Sequence, residues 1–334
     1  MNRERNFLPL WAASLAWATG FLVVVGATPS VAAELTTQQV YERSAPGVVM
    51  VIGVSDKGKG NGGTGSIIRQ DGLVLTNAHV VIEGNSGKPY PRVLVFLKPD
   101  RVTGNSKTDL SRRLEARVLA VDEALDLALL KAEAPQGGLP VLELVDPRPV
   151  RIGDRVAAIG HPEQGGLWTL TTGVVSAEFE NYQNTPGKDV FQTETGLNRG
   201  NSGGPLLDAQ AHVIGINTAI ARLAADGLPI TSISFSLKSS VALKWLRQQG
   251  VGLNVAQSFP EPDRRGPASG GGSGSSGGST GSPAKPAQPP TTPPQVQTPP
   301  RPYSLDNLVG EVSREEADLE SMMKEMRGKN RPRP

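Results

Sequence analysis

Thr193-Glu194-Thr195-Gly196-Leu197-Asn198-Arg199-Gly200-Asn201-Ser202-Gly203-Gly204-Pro205-Leu206 is the stretch from which the rest of the chain is read. A serine stands between Asn201 and paired glycines, and a strand-like apolar run follows at once. Gly203 and Gly204 place no side chains beside the hydroxyl, so another backbone can approach closely. Gly200 tolerates the φ values of a tight loop and can turn its N–H inward. Such a loop can present a nucleophile and offer its own amides to a developing oxyanion. Taken alone, it is equally readable as a Gly-rich turn feeding a strand. A base and an orienting carboxylate elsewhere in the chain decide between the two.

Composition narrows the setting. The 334 residues include 39 glycines, 28 prolines and no cysteine. The absence of cysteine excludes disulfides, thiol catalysis and cysteine-ligated zinc. A net charge of +2 gives no argument for nucleic acid or for an acidic partner. Glycine and proline concentrate toward the C-terminus, so the folded part is smaller than the length suggests.

Arg3 and Arg5 precede an apolar run from Phe7 to about Gly26, followed by Ala27-Thr28-Pro29-Ser30-Val31-Ala32-Ala33. A basic start, an apolar centre and small residues at Val31 and Ala33 describe a secretory signal over 1–33, cleaved before Glu34. The alternative is an uncleaved N-terminal membrane anchor, since the run approaches the roughly 20 residues that span a bilayer. Either way the remainder is exported, to a periplasmic or other extracytoplasmic place.

Leu35–Ser44 reads as a short helix ended by Pro46. Short β-runs separated by glycines follow: Val48–Val54, Gly65–Arg69, Leu73–Thr76, Val93–Leu97, Leu114–Val121, Leu127–Lys131, Arg155–Ile159, Thr169–Glu178, Val190–Thr193, Pro205–Asp208, His212–Ala219 and Ile230–Leu237. This pattern indicates an all-β sandwich or barrel, not βαβ units. Lys238–Gln249 is the one clear later helix, with Val241, Ala242, Trp245 and Leu246 on one face and Leu243 widening it. The folded domain therefore occupies 34–259. Residues 260–302 form a linker, Gly/Ser-rich over Gly266–Gly281 and proline-rich over Ser282–Pro302, a flexible coil joined to a stiffer spacer. The segment 303–334 reads as a short amphipathic helix or a charged tail. Leu305, Leu308, Val309 and Val312, then Leu319, Met322, Met323 and Met326, recur at helical spacing, and Ser313 with Glu316 has capping-box spacing. Such a helix, on its long tether, would contact a partner or a membrane surface.

Only three histidines are present. His79, in Leu75-Thr76-Asn77-Ala78-His79-Val80-Val81, follows a β-run whose end would project it into a cleft. His161, in Gly160-His161-Pro162, reads as a turn residue, and His212 stands in the apolar run Ala211–Asn217. Asp126 is the strongest orienting carboxylate, because Leu125-Asp126-Leu127-Ala128-Leu129-Leu130 sets one acid in an apolar run. A buried carboxylate needs a partner or a shifted pKa. Asp109, Asp146 and Asp154 lie in polar or turn contexts. In triad logic Asp126 would orient His79, His79 would take the Ser202 proton, and Ser202 would form an acyl-enzyme. Backbone amides at Gly200, Asn201 and Ser202 form the expected oxyanion hole.

The segment from about Val40 to Gly250 resembles the trypsin-like serine proteases of the DegP/HtrA type. The resemblance rests on Gly63-Thr64-Gly65-Ser66, Thr76-Asn77-Ala78-His79-Val80-Val81, Asp126-Leu127-Ala128-Leu129-Leu130-Lys131, Gly200-Asn201-Ser202-Gly203-Gly204-Pro205-Leu206 and Ile233-Ser234-Phe235-Ser236-Leu237, in that order. It implies two six-stranded antiparallel β-barrels of the chymotrypsin/trypsin kind with the active site between them, and the short helix near 238–249 docked on this domain. It also implies an endopeptidase that needs no metal or organic cofactor. By the same resemblance, His79, Asp126 and Ser202 match the catalytic triad. Gly215-Ile216-Asn217-Thr218-Ala219 matches the strand that pairs with the substrate, giving Asn217, Thr218 and Ala219 as substrate-binding residues. With no acid in Gly196–Asn201, a small aliphatic side chain is expected before the scissile bond. A homotrimer is a further expectation, with Leu35–Ser44 in the place of the family's trimerising segment.

The sequence departs from the family pattern in three places. A linker and short helix stand where relatives commonly carry PDZ domains. Gly160-His161-Pro162 with Gln164–Leu167 replaces an Asn-Pro-containing loop. Thr195, Gly196 and Arg199 are uncommon before the serine. The functional expectation is an exported, ATP-independent serine endopeptidase that cleaves unfolded or damaged proteins in quality control. The alternative is a resting or non-catalytic, chaperone-like binding protein on the same scaffold.

Overall fold

The computed structural model describes residues 34–84, 86–147, 150–163, 165–220, 233–253, 304 and 306–314. The expected signal or anchor over 1–33, the linker 260–302 and most of 303–334 lie outside the described residues.

Helix α1 (Thr37–Ser44) begins with a capping box: Thr36 Oγ1 accepts from Gln39 N, and Gln39 Oε1 accepts from Thr36 N. These reciprocal bonds satisfy amides that a first helical turn leaves open. A 3-10 turn over Ala45–Gly47, containing Pro46, ends the helix and turns the chain into the first strand.

Strands β1 (Val48–Val54), β2 (Gly60–Arg69) and β3 (Leu73–Thr76) lead to the one-turn helix α2 (Ala78–Val81). A two-stranded ribbon of β4 (Ile82–Glu83) and β5 (Lys88–Pro89) comes next, then β6 (Arg92–Leu97), the helical turn α3 (Ser106–Asp109), β7 (Arg113–Asp122) and β8 (Leu127–Ala132). The second half holds β9 (Arg155–Gly160), β10 (Thr169–Phe179), β11 (Val190–Thr193), β12 (Pro205–Leu207), β13 (Val213–Ile220) and β14 (Ser234–Lys238), closed by α4 (Ser239–Gln248). Antiparallel pairing closes two barrels, in the orders β1-β2-β3-β8-β7-β6 and β10-β11-β14-β13-β12-β9. The twelve barrel strands fall on the twelve β-runs expected from sequence, with ends moved by a few residues.

The side-chain period of two explains why the first barrel's strands read as continuous apolar runs. Val48, Met50, Ile52 and Val54 enter one apolar cluster with Leu73, Leu75, Leu94, Phe96, Leu127 and Leu129. The alternate residues Val49, Val51, Val74, Val93, Val95, Ala128 and Leu130 enter another, with Val80 and Val81 of α2. All seven residues of β1 are buried, because both of its faces are covered. β7 alternates between exposed and part-buried residues until a bulge between Val118 and Ala120 leaves Leu119 unpaired and exposed. In α4, Val241, Ala242, Leu243, Trp245 and Leu246 pack on the core as expected.

A helix over 306–314, here α5, lies against the first barrel. Leu308, Val309 and Val312 are buried in the cluster that contains Ile52 and Phe96, and Leu308 and Val312 border a cleft shared with Leu110. A Cβ at Gly60 would lie 2.1 Å from Gly53 O and 3.0 Å from Val309 Cγ1, so α5 packs closely on a stretch of β2 whose backbone is bare for the sake of the barrel. The apolar face read as a partner-facing stripe is thus covered, over the described residues, by the chain's own barrel. Ser313 is not the start of a helix as its spacing with Glu316 suggested. It lies inside α5 and returns its hydroxyl to Val309 O at 2.9 Å, the back-bonding a mid-helix serine adopts.

Burying an aliphatic side chain of this size contributes about 2 kcal/mol. Val309→Asp is therefore expected to lower the urea unfolding free energy by at least about 2 kcal/mol. An unchanged unfolding midpoint would show that the α5 contact adds no stability.

Candidate active site

The site lies where α2, the β7–β8 turn, the 196–204 loop and β13 meet. Asp126 sits just before β8 with φ 59°, in the left-handed region. Aspartate tolerates this conformation better than most residues, and Asn77 Nδ2 steadies it by donating to Asp126 O at 2.7 Å. The carboxylate thereby leaves the apolar line of Leu127–Leu130 and turns toward α2. Its Oδ1 accepts from His79 N at 3.1 Å, and its two oxygens lie 3.0 and 2.9 Å from His79 Nδ1. Thr218 Oγ1, from β13 in the other barrel, donates to Oδ2 at 2.6 Å.

Burial by itself would raise the Asp126 pKa. The His79 hydrogen bond and charge, then the Thr218 hydroxyl and the His79 amide, outweigh burial and hold the carboxyl below its ordinary value. Asp126 is therefore an anion at neutral pH, and an Nδ1–H on His79 has an acceptor. The His79 side chain remains 46% exposed. α2 is a single helical turn, so His79 stands one residue into a helix, not on the strand end expected from its sequence.

The serine loop is fixed by its own backbone and by the first barrel. Asn201 N donates to Asn198 O, Gly204 N to Asn201 O and Gly203 N to Asn217 O, while Ser202 O accepts from Thr64 N at 2.8 Å. Gly203 has φ 85°, and a Cβ there would lie 2.1 Å from Thr76 Oγ1. Gly200 has φ 97°, and a Cβ there would lie 2.0 Å from His161 O. Only glycine fits either position. Among the described residues, no protein acceptor takes the N–H of Gly200 or of Ser202. Arg199 O accepts from Glu163 N at 2.6 Å. The N–H across that trans peptide therefore points away from Glu163. Among the described residues, the hydrogen bonds of the His79 ring go to Asp126, and none joins it to Ser202 Oγ. Such pairs are often long in the free state and tighten with substrate.

The structure brings His79, Asp126, Gly200, Ser202, Asn217 and Thr218 into one region. Asn201 is placed differently from its companions, because its N–H is used within the loop and its side chain is buried beside Gly160. The Asn217 side chain also faces inward, donating to Pro205 O and accepting from Ser236 Oγ. The side chain of Ala219 lies outside the described residues. The Asn217 backbone is also engaged, its N–H donating to Gly204 O and its carbonyl accepting from Gly203 N, so substrate contact here would come from the Thr218 backbone, the Thr218 side chain being bonded to Asp126.

Three contributors were missed or misread in sequence. Thr218, expected on the substrate-pairing strand, also bonds Asp126 through its hydroxyl. Thr64 appeared only as part of a motif, and His161 is fully buried although it reads as a turn residue. His212 is tied to Asp208 through both Nδ1 and its backbone N–H. Asp109 is buried but accepts from Thr103 and Gly104, which makes it a loop anchor. Among the described residues, no cluster of His, Asp and Glu is arranged to hold a metal ion.

The Thr218 bond has a measurable consequence. Asp126's depressed folded pKa means that its stabilisation is present above the unfolded carboxylate value and is lost as pH falls through the folded value. Thr218→Val is expected to raise the Asp126 pKa, read by carboxyl 13C titration. It should also lower stability at neutral pH by about 1.5–3 kcal/mol, with the deficit shrinking in acid. An unmoved carboxyl titration would contradict the assignment.

Comparison with known proteins agrees with this geometry. A family model described as "Trypsin-like peptidase domain" matches residues 63–216. The "Probable periplasmic serine endoprotease DegP-like" of Brucella suis biovar 1 (strain 1330) is 37% identical over 181 residues, covering 54% of this chain and 31% of that protein. The "Magnetosome formation protease MamE" of Paramagnetospirillum magneticum (strain ATCC 700264 / AMB-1) is 40% identical over 162 residues, covering 48% of this chain and 20% of the relative. A solved structure, "HtrA-type protease AlgW with tripeptide", superposes with TM-score 0.52 at 30% identity, covering 64% of this chain and 63% of that one. The chain spans about a third or less of these two relatives' length. Residues 63–216 thus match a trypsin-like peptidase domain, and the two-barrel part of the chain is similar to serine proteases of the DegP/HtrA type.

Proposed function

We propose that this protein is an exported, ATP-independent serine endopeptidase that cleaves unfolded or damaged polypeptides. The observation that carries the chemistry is the anionic Asp126 bonded to His79 beside a serine loop with two uncommitted amides. Asp126 would hold His79 with its proton on Nδ1, leaving Nε2 as the base. As Ser202 Oγ attacks the scissile carbonyl, its proton would pass to Nε2, and Asp126 would stabilise the imidazolium. The carbonyl oxygen would gain negative charge while accepting from Gly200 N and Ser202 N. On collapse of the tetrahedral intermediate, the imidazolium would give its proton to the leaving amine and leave an ester on Ser202. Water, deprotonated by the same nitrogen, would then release the acid and restore Ser202.

Substrate backbone would pair along β13, which requires an extended segment and favours chains that are not folded. The secretory pattern in 1–33 and the word "periplasmic" in a relative's name support export. Among the described residues, no helix is long and apolar enough to cross a membrane.

Ser202→Ala is expected to reduce digestion of unfolded casein by about a millionfold, without ATP being required by the wild type. A fluorophosphonate probe is expected to label Ser202 in the wild type and fail to label the variant. Undiminished digestion by Ser202→Ala would overturn the proposal. Equal protection of an aggregating client by both forms, with cleavage by neither, would assign the scaffold to binding instead.

A further inference from the structure

His161 lies outside the Asp126–His79 pair, yet it is fully buried beneath the serine loop. Its backbone N–H donates to Thr64 Oγ1 at 3.2 Å, and its Nδ1 lies 3.0 Å from the same oxygen. Thr64 Oγ1 in turn donates to Gly200 O at 2.7 Å. A hydroxyl carries one proton, and here Gly200 O receives it. The Nδ1 contact is therefore a donation from the ring to Thr64, which makes His161 the Nδ1–H tautomer.

The ring is held from the other side by Trp168, whose ring meets it edge-on at 4.7 Å and whose Nε1 donates to Val48 O at 2.8 Å. Burial drives the His161 pKa down to about 3, so the ring stays neutral through the working range of a neutral-pH hydrolase. The same short segment acts a second time through Glu163 N, which donates to Arg199 O at 2.6 Å. The two peptides flanking Gly200 are thus both anchored to residues 161–163, one directly and one through Thr64. Gly200 itself rests against His161 O, with no room for a side chain.

We propose that His161 is a positioning residue for the oxyanion loop: acting through the Thr64 hydroxyl, it fixes the Gly200–Asn201 peptide, and with the Arg199–Gly200 peptide held by Glu163 N this blocks the rotation at Gly200 that would turn its N–H. This rests on the reading of Ser202 as nucleophile and of Gly200 N as an oxyanion donor. In that reading the network matters most in the transition state, when the carbonyl oxygen carries charge. Its loss should lower kcat and leave KM nearly unchanged. An asparagine can supply a side-chain N–H near the position of Nδ1, whereas a leucine cannot.

The test is steady-state kinetics of the full chain on a chromogenic peptide, with fluorophosphonate labelling of Ser202 in every variant. His161→Leu is expected to lose about a hundredfold in kcat, with KM changed less than about threefold and slower labelling of Ser202. His161→Asn is expected to restore most of that loss. Thr64→Val should reproduce the leucine phenotype, and Thr64→Ser should not. If His161→Leu does not fold by circular dichroism, the Thr64 pair and His161→Asn decide the matter. Wild-type kcat in folded His161→Leu or Thr64→Val would overturn the inference. So would a loss confined to KM, or an asparagine variant as slow as the leucine variant. Full activity in Ser202→Ala would instead remove the underlying functional reading, which separates the two failures.

Discussion

One hydrogen bond joins the chemistry to the fold: Thr218 of the second barrel donates to the Asp126 carboxylate of the first at 2.6 Å. A buried carboxylate is strongly destabilising unless it is paired and hydrogen-bonded. Asp126 meets that requirement only when α2, the left-handed turn before β8 and β13 are all in place. Further bonds cross between the halves, among them Thr64 N to Ser202 O, Thr64 Oγ1 to Gly200 O and Trp168 Nε1 to Val48 O. Either barrel alone would leave the carboxylate with an incomplete set of donors and the serine loop without its floor. Assembly of the site is therefore a consequence of tertiary closure, and little of it is local.

The Gly200 environment follows the same principle. An oxyanion donor helps only if it already points where charge will develop, because reorienting a peptide during the reaction would add to the barrier. Here the carbonyls of Arg199 and Gly200 are both occupied by donors from neighbouring elements, while no acceptor among the described residues takes the amides of Gly200 and Ser202. The loop's shape is set by these protein contacts. Its neighbours in the chain supply the constraint.

Much of this was legible before any coordinates. The twelve β-runs could be read because β-branched and leucine-rich stretches ended at glycines, and the all-buried β1 still divided its alternate residues between two apolar clusters. Asp126 stood out because a lone acid among Leu125, Leu127, Ala128 and Leu129 demands a partner. The one-turn helix carrying His79 was hidden by its β-branched valines, which carry no helical signal over four residues. Thr64, His161 and Thr218 could not be assigned because their partners lie far along the chain, and nothing local marks a hydroxyl's acceptor. The seat of α5 was equally hidden: periodicity in 305–312 gives an apolar face but not what covers it. The helix α5 lies outside the span 63–216 matched to the peptidase domain, while Phe96 and Leu110 of the surface it meets lie within that span.

The central claim is that Ser202, His79 and a loop already in its working shape form one reactive centre. A crystal structure of the protein inhibited by a peptidyl phosphonate tests it most directly. The account predicts phosphorus bonded to Ser202 Oγ and the phosphonyl oxygen about 2.7–3.1 Å from the amides of Gly200 and Ser202. The backbone of 196–204 should be unmoved, with His79 still paired to Asp126. Phosphorus on another residue, or a Gly200 peptide that must turn over to meet the oxygen, would contradict it.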